Sequence, residues 1–254
     1  MENKINQYLT EIEQAKQVKI LLACETGSRA WGFPSPDSDY DVRLIYHHPQ
    51  EWYLSLSESK DTIEQMLDQN EVDISGWDLR KSLRLIWKSN PPLLERIQSH
   101  IVYRQDDAFM REILQLATQC YSRIATIFHY LSMAKKGLEE LQEQEQYKLK
   151  KFFYALRAAT ACKWILDREE MPPIYFPTMM EGVGIQLDTQ KRIRELIELK
   201  AGVSESYWHR GEKDLVKLMQ SWIERAEKES NRLPASKIKA HDLDAFFIKT
   251  ITQK

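Results

Sequence analysis

Two acidic residues one position apart, Asp39 and Asp41, follow a Gly27-Ser28 pair after ten intervening residues. In an extended segment, residues two apart point to the same side, so Asp39 and Asp41 direct two carboxylates into one place. Like charges held together in this way repel strongly unless a divalent cation neutralises them. Mg²⁺ suits the pair, because it prefers oxygen ligands and commonly takes one or two carboxylates together with substrate phosphates. Mn²⁺ accepts the same oxygen donors. Upstream, Gly27 has no Cβ and lets a phosphate approach the backbone closely. Amides around Ser28 can point at phosphate oxygens if a helical turn begins there. The Ser28 hydroxyl adds a donor, and Arg29 is a further candidate for the same anion, its direction not being set by the sequence.

These groups need strands on either side to aim them. Val18 to Cys24 is a compact apolar run that predicts a buried strand. Residues 25–38 are rich in Gly, Ser, Pro and Asp and predict a loop with room for one helical turn. Asp41 to Tyr46 predicts a second strand, ended by Pro49, and Val72-Asp73-Ile74 a short third one. Ile5, Tyr8, Leu9 and Ile12 share one face of a short helix. Asp78 suits a helix N-cap before Leu79, Leu83, Ile86 and Trp87, and Asn90-Pro91-Pro92 breaks that helix. From about Asp106 the pattern turns helical, with helices predicted over 107–136, 146–167, 188–200, 205–230 and 241–251. The expected class is α+β: a small sheet domain with flanking helices over residues 1–104, then an all-helical domain over residues 105–254.

The segments Gly27-Ser28-Arg29-Ala30-Trp31-Gly32-Phe33 and Ser35-Pro36-Asp37-Ser38-Asp39-Tyr40-Asp41-Val42-Arg43 resemble the DNA polymerase beta-like nucleotidyltransferase superfamily. That signature joins an apolar strand, Gly-Ser, a spacer of this order and acidic-x-acidic on the next strand. Together with Asp73-Ile74-Ser75-Gly76-Trp77-Asp78-Leu79-Arg80-Lys81 and Lys150-Lys151-Phe152-Phe153-Tyr154-Ala155-Leu156-Arg157, they look more narrowly like predicted nucleotidyltransferases associated with RNA repair. The resemblance covers most of residues 20–175.

It implies a third carboxylate on a later strand. Asp73, flanked by Val72 and Ile74, matches that place, with Glu71 and Asp78 as neighbouring alternatives. It also implies two-metal nucleotidyl transfer from an NTP, with Asp39 and Asp41 bridging both ions and Asp73 completing the nucleophile-side one. Lys150, Tyr154 and Arg157 stand at i, i+4 and i+7 and share a helix face. Facing a cleft, Lys150 and Arg157 would grip the β- and γ-phosphates while Tyr154 packs near the base. Facing water, they are a solvated basic face.

Composition bounds the partners. Thirty-six Lys and Arg against 38 Asp and Glu give a formal net charge of -2, so no global cationic field advertises nucleic acid and any RNA recognition would be local. Cys24, Cys120 and Cys162 are odd in number and far apart, which argues against a disulfide framework and for a reducing cytoplasm. No apolar run approaches ~18 residues, so no membrane span is expected. The expected activity is transfer of an NMP from an NTP to an acceptor hydroxyl, with an RNA end favoured. The alternative is an antitoxin-like protein that binds or nucleotidylates a protein partner. A small hydroxylated acceptor also stays open.

Overall fold

The computed structural model describes residues 1–57, 59–233 and 240–252. In chain order the elements that matter are helix α1 (Glu2–Lys16), strand β1 (Lys19–Glu25), the single turn α2 (Gly27–Trp31), β2 (Tyr40–His47), α3 (Gln50–Tyr53), β3 (Thr62–Leu67) and β4 (Val72–Asp78). Then come α4 (Leu79–Trp87), α5 (Pro91–Ile97), β5 (Val102–Gln105), α6 (Asp107–Cys120), α7 (Arg123–Gln142), β6 (Gln146–Lys148) and α8 (Leu149–Arg168). The chain closes through α9 (Phe176–Gly182), α10 (Leu187–Ala201), β7 (Trp208–Arg210), α11 (Lys213–Glu229) and α12 (His241–Thr252). The class is mixed α+β, as the alternation of short apolar runs and long periodic segments implies.

Two compact units form. The first gathers Met1–Ala30, Asp39–Tyr121 and α12; the second gathers Trp31–Ser38 and residues 122–233. The boundary expected at residue 104 therefore falls inside the first unit, which retains α6.

In the first unit five strands lie in the order β3-β4-β2-β1-β5. β2 and β4 are parallel, and the other pairings are antiparallel. β4 alternates strictly: Val72, Ile74, Gly76 and Asp78 are buried, while Asp73, Ser75 and Trp77 are only partly covered. Val42, Leu44, Tyr46, Val72 and Ile74 meet Ile5, Leu9 and Ile12 of α1 in one apolar layer. Complete burial of each such side chain contributes about 1.5–3 kcal/mol. Because successive residues alternate between faces, that layer fixes Asp41, Arg43 and Asp73 on the opposite face of the sheet.

The caps follow the sequence. Asp78 accepts a hydrogen bond from Arg80 N at 2.8 Å and starts α4, and Asn90 accepts one from Leu93 N at 3.2 Å and starts α5. Asn90-Pro91-Pro92 thus ends one helix by opening another. The helix predicted over 107–136 is broken at Tyr121-Ser122, where the Ser122 hydroxyl accepts from Ala125 N and caps α7.

In the second unit α7, α8 and α11 pack around one core that includes Phe152, Phe153, Leu156, Ile193, Met219 and Ile223. Gly137 lets α7 approach α8, since a Cβ there would stand 2.7 Å from the Ala155 methyl. The helix predicted over 205–230 begins only at Lys213. Before it, β7 pairs with β6, and Gly211 (φ 110°) and Glu212 (φ 63°) turn the chain through the left-handed region.

Candidate active site

β2 and β4 run side by side in parallel, with Asp41 paired to Asp73 and Arg43 to Ser75. Asp41 and Asp73 therefore stand on adjacent strands at the same height and on the same face. Between them lies a cation that is part of the chain. Arg43, two residues past Asp41 on the same face, donates through Nη2 to Asp41 Oδ1 at 2.6 Å and to Asp73 Oδ2 at 2.8 Å. Its Nη1 donates to the main-chain oxygens of Asp73 at 2.9 Å and Val42 at 3.2 Å. All three side chains are partly covered, at 18% exposure for Arg43, 21% for Asp41 and 30% for Asp73. Asp39 precedes β2 and is exposed, and its main-chain oxygen accepts from Arg29 Nε at 3.0 Å. The Arg29 guanidinium lies 3.9 Å from the centre of the Tyr40 ring, so its planar face is stacked at the start of β2.

Gly27 abuts the same carboxylate. Thr26 N donates to Asp41 O at 2.9 Å, which extends the β1–β2 pairing and brings Gly27 against the Asp41 side chain. A Cβ on Gly27 would lie 1.9 Å from Asp41 Oδ2, and its φ of 63° already belongs to the region that favours glycine. Ser28, buried, follows in the first turn of α2. Asp78, by contrast, faces the buried side of β4, and its oxygens accept from Tyr53 Oη at 2.6 Å and Arg80 N at 2.8 Å. Those bonds leave Asp73 as the acidic residue of β4 that faces Asp41.

Trp31–Ser38, most of the spacer between Gly-Ser and Asp-x-Asp, is built into the second unit. Phe33 is fully buried and stacks on Phe153 with ring centres 4.9 Å apart. Lys200 Nζ donates to Ser35 Oγ at 2.9 Å, and burial holds that ammonium below its ordinary pKa. Ser38 Oγ donates to Glu205 Oε1 at 2.8 Å, while Lys150 Nζ donates to Glu205 Oε2 at 2.5 Å. Arg157 is buried, with its guanidinium 4.4 Å from the Trp31 ring centre, and Tyr154 meets Trp31 edge-on at 5.1 Å. Lys150, Tyr154 and Arg157 thus gather around Trp31 and Glu205 within this unit.

A family model for the RNA repair pathway DNA polymerase beta family matches residues 1–249. The chain belongs to that family. This agrees with the motif resemblance and makes nucleotidyl transfer the activity class. The uncharacterized protein YcgL of Bacillus subtilis (strain 168) is 42% identical over 200 residues, covering 79% of this chain and 76% of that one. Solved structures similar to the chain include spectinomycin adenyltransferase AAD(9) from Enterococcus faecialis with ATP and spectinomycin. It is 10% identical over 89% of this chain and 97% of that one, with a TM-score of 0.44. A nucleotidyltransferase-like protein from Exiguobacterium sibiricum 255-15 is 10% identical over 97% and 79%, with a TM-score of 0.33.

For this member of the RNA repair pathway DNA polymerase beta family, Asp41 and Asp73 offer the hard oxygen donors that Mg²⁺ or Mn²⁺ takes, and they already converge on one positive charge. Phosphate oxygens and water complete an octahedron around such a pair. Among the described residues, no group of three or more His, Cys, Asp or Glu side chains is gathered to hold a metal ion.

Two residues that act on this pair escaped the sequence reading. Arg43 is one; its parity with Asp39 and Asp41 was the available signal. Glu25 is the other. Its fully buried carboxylate accepts from Asp41 N at 2.6 Å and from the Tyr103 hydroxyl. Burial pushes its pKa up to about 7, above the range of an unfolded Glu. Folding thus favours the protonated form, so this contribution is complete below the unfolded value and is lost as pH rises through about 7. In metal-free buffer, the thermal midpoint of wild type should fall more steeply from about pH 5 to about pH 8 than that of Glu25→Gln. Parallel pH profiles would remove Glu25 as the cause.

Proposed function

We propose that this protein transfers a nucleoside monophosphate from an NTP to an acceptor hydroxyl, and that the acceptor is an RNA end. The acceptor oxygen bonds to the α-phosphorus, the bond from that phosphorus to the bridging oxygen breaks, and pyrophosphate leaves. The acceptor proton passes to water or to a site carboxylate. The observation that carries this reading is the in-register pair Asp41 and Asp73 beside the bare backbone of Gly27. Asp39, Asp41 and Asp73 would hold Mg²⁺ or Mn²⁺, which when bound neutralises phosphate charge and lowers the pKa of a coordinated hydroxyl. Gly27, Ser28 and Arg29 would face the triphosphate. Lys150, Tyr154 and Arg157 are proposed as nucleotide-binding residues on the strength of the family motif.

RNA is favoured as acceptor by a local basic surface in a chain whose net charge is negative. A cavity of about 170 Å³ is lined by Arg80, Lys81 and Arg84 with Trp52 and Tyr53, and its two acids, Asp61 and Asp78, are bonded to Lys81 and to Tyr53. The Arg80 guanidinium lies 4.8 Å from the Tyr53 ring centre and 5.9 Å from those of Trp52 and Phe247. Among the described residues, neither Arg80 nor Arg84 forms an ion pair, whereas Lys81 pairs with Asp61 at 2.9 Å. Cations interleaved with aromatic rings suit a single-stranded backbone and its bases. Arg80→Ala combined with Arg84→Ala should weaken binding of a short single-stranded RNA and flatten its salt dependence, with NTP affinity unchanged. Fluorescence anisotropy across a salt series checks this, and equal slopes would take the cavity out of RNA binding.

The direct test of the reaction is incubation with each α-labelled NTP, Mg²⁺ or Mn²⁺, and separate RNA, protein and small-molecule pools. Metal-dependent label on RNA is the expected result. Label on protein would favour a protein-modifying enzyme, and no label in any pool would leave a nucleotide-binding partner protein. A cytoplasmic setting suits the three cysteines, all buried and none in a disulfide.

A further inference from the structure

Asp41 and Asp73 already share a cation, and this bears on how many metal ions the site takes. We propose that Arg43 supplies the positive charge this carboxylate pair requires, as a fixed part of the protein, so that the chain binds a single divalent ion with its nucleotide instead of two. The proposal rests on the nucleotidyl-transfer reading and deepens it.

Four observations support it. Nη2 bridges one oxygen of each carboxylate, at 2.6 and 2.8 Å, so both acids bond the same nitrogen. Nη1 is tied to the main-chain oxygens of Asp73 and Val42, which anchors the guanidinium to both strands. Arg43 grows from β2 itself, two residues from Asp41, so the parity of the strand fixes its side. Finally, a guanidinium presents several N–H donors in one rigid plane, which lets Nη1 and Nη2 serve different acceptors at once.

A second divalent ion on the same pair would set two positive charges against the guanidinium, or would have to break four hydrogen bonds to displace it. The Asp39 end of the motif is held differently: Asp39 is exposed and precedes the strand, and Arg29 Nε donates to its main-chain oxygen at 3.0 Å. A divalent ion on the Asp39 side, completed by an Asp41 oxygen, phosphate oxygens and water, is compatible with Arg43 remaining in place. Asp73 then positions Arg43 in addition to the metal-holding role proposed above.

The test counts ions. Mn²⁺ binding to the full chain is followed by electron paramagnetic resonance and by calorimetry, with a non-hydrolysable NTP at saturation. Wild type should saturate at one ion per chain. Arg43→Ala should admit a second ion, and Arg43→Lys, which keeps the charge, should stay at one. Thermal melting accompanies each variant; if Arg43→Ala does not fold, Arg43→Gln replaces it as the neutral form that still donates hydrogen bonds. Two ions in wild type would overturn the proposal, as would a neutral variant that still takes one. No nucleotide-dependent ion in any form would instead overturn the nucleotidyl-transfer reading on which the proposal stands.

Discussion

Asp41→Asn should lower metal-dependent nucleotidyl transfer by at least ~10²-fold, because in the proposed site its charge holds the ion that meets the phosphates. Asparagine keeps the size of the side chain and leaves the β1–β2 and β2–β4 ladders intact, since these use main-chain groups. What disappears is the negative charge that the Arg43 guanidinium and a bound cation both require. Nucleotide affinity measured with the ion present should fall together with transfer. Asp73→Asn should behave differently. Its partner is Arg43 at 2.8 Å, so NTP affinity should stay within a few fold while transfer drops strongly. A label-transfer assay and calorimetry on both variants separate the two roles, and melting curves exclude a folding defect. Unchanged transfer by Asp41→Asn would remove the Gly-Ser and Asp-x-Asp segment from the chemistry. Unchanged transfer by Asp73→Asn would point to Glu71, because Asp78 is held by Tyr53 and Arg80.

The sheet face that bears Asp41 and Asp73 was readable because both lie in short segments of alternating residues, where parity decides the side. Arg43 has that same parity, yet a charged residue in a strand reads locally as a solvent-facing position; only the neighbouring strand reveals its partners. The edge strands β3 and β5 went unread for a related reason. Thr62–Leu67 contains Glu64 and Gln65 and has one buried residue, Ile63, so no apolar alternation marks it. Val102–Gln105 is short and gains its order from Cys24, Ala23 and Leu22 of β1. The Trp31–Ser38 segment was read as a loop. Its fixed shape comes from Phe153, Lys200 and Glu205, all more than a hundred residues away in sequence. Helix caps were more legible, because Asp78 and Asn90 act on amides two and three residues ahead. Such local contacts need no tertiary context.

Gly27→Ala should cost the protein both stability and its metal–nucleotide complex. The added methyl would stand 1.9 Å from Asp41 Oδ2 and 2.8 Å from its Cγ, so the carboxylate must swing away. The backbone cannot easily yield instead, because Thr26 N is bonded to Asp41 O just before it. Alanine at a φ of 63° costs about 1–2 kcal/mol, and overpacking adds about 1–3 kcal/mol. The melting temperature should therefore fall by roughly 4–20 °C, at ~2–4 °C per kcal/mol for a chain of this size. Rotation of Asp41 also breaks its bond to Arg43, so calorimetry should show Mn²⁺ and NTP affinity reduced by at least ~10-fold, the equivalent of about 1.4 kcal/mol. Ser28→Ala is the control, since it removes a hydroxyl one residue on without adding bulk against Asp41. It should melt near wild type and lose less affinity. If Gly27→Ala bound the ion and the nucleotide as wild type does, the close approach of this glycine to Asp41 would have no part in the site.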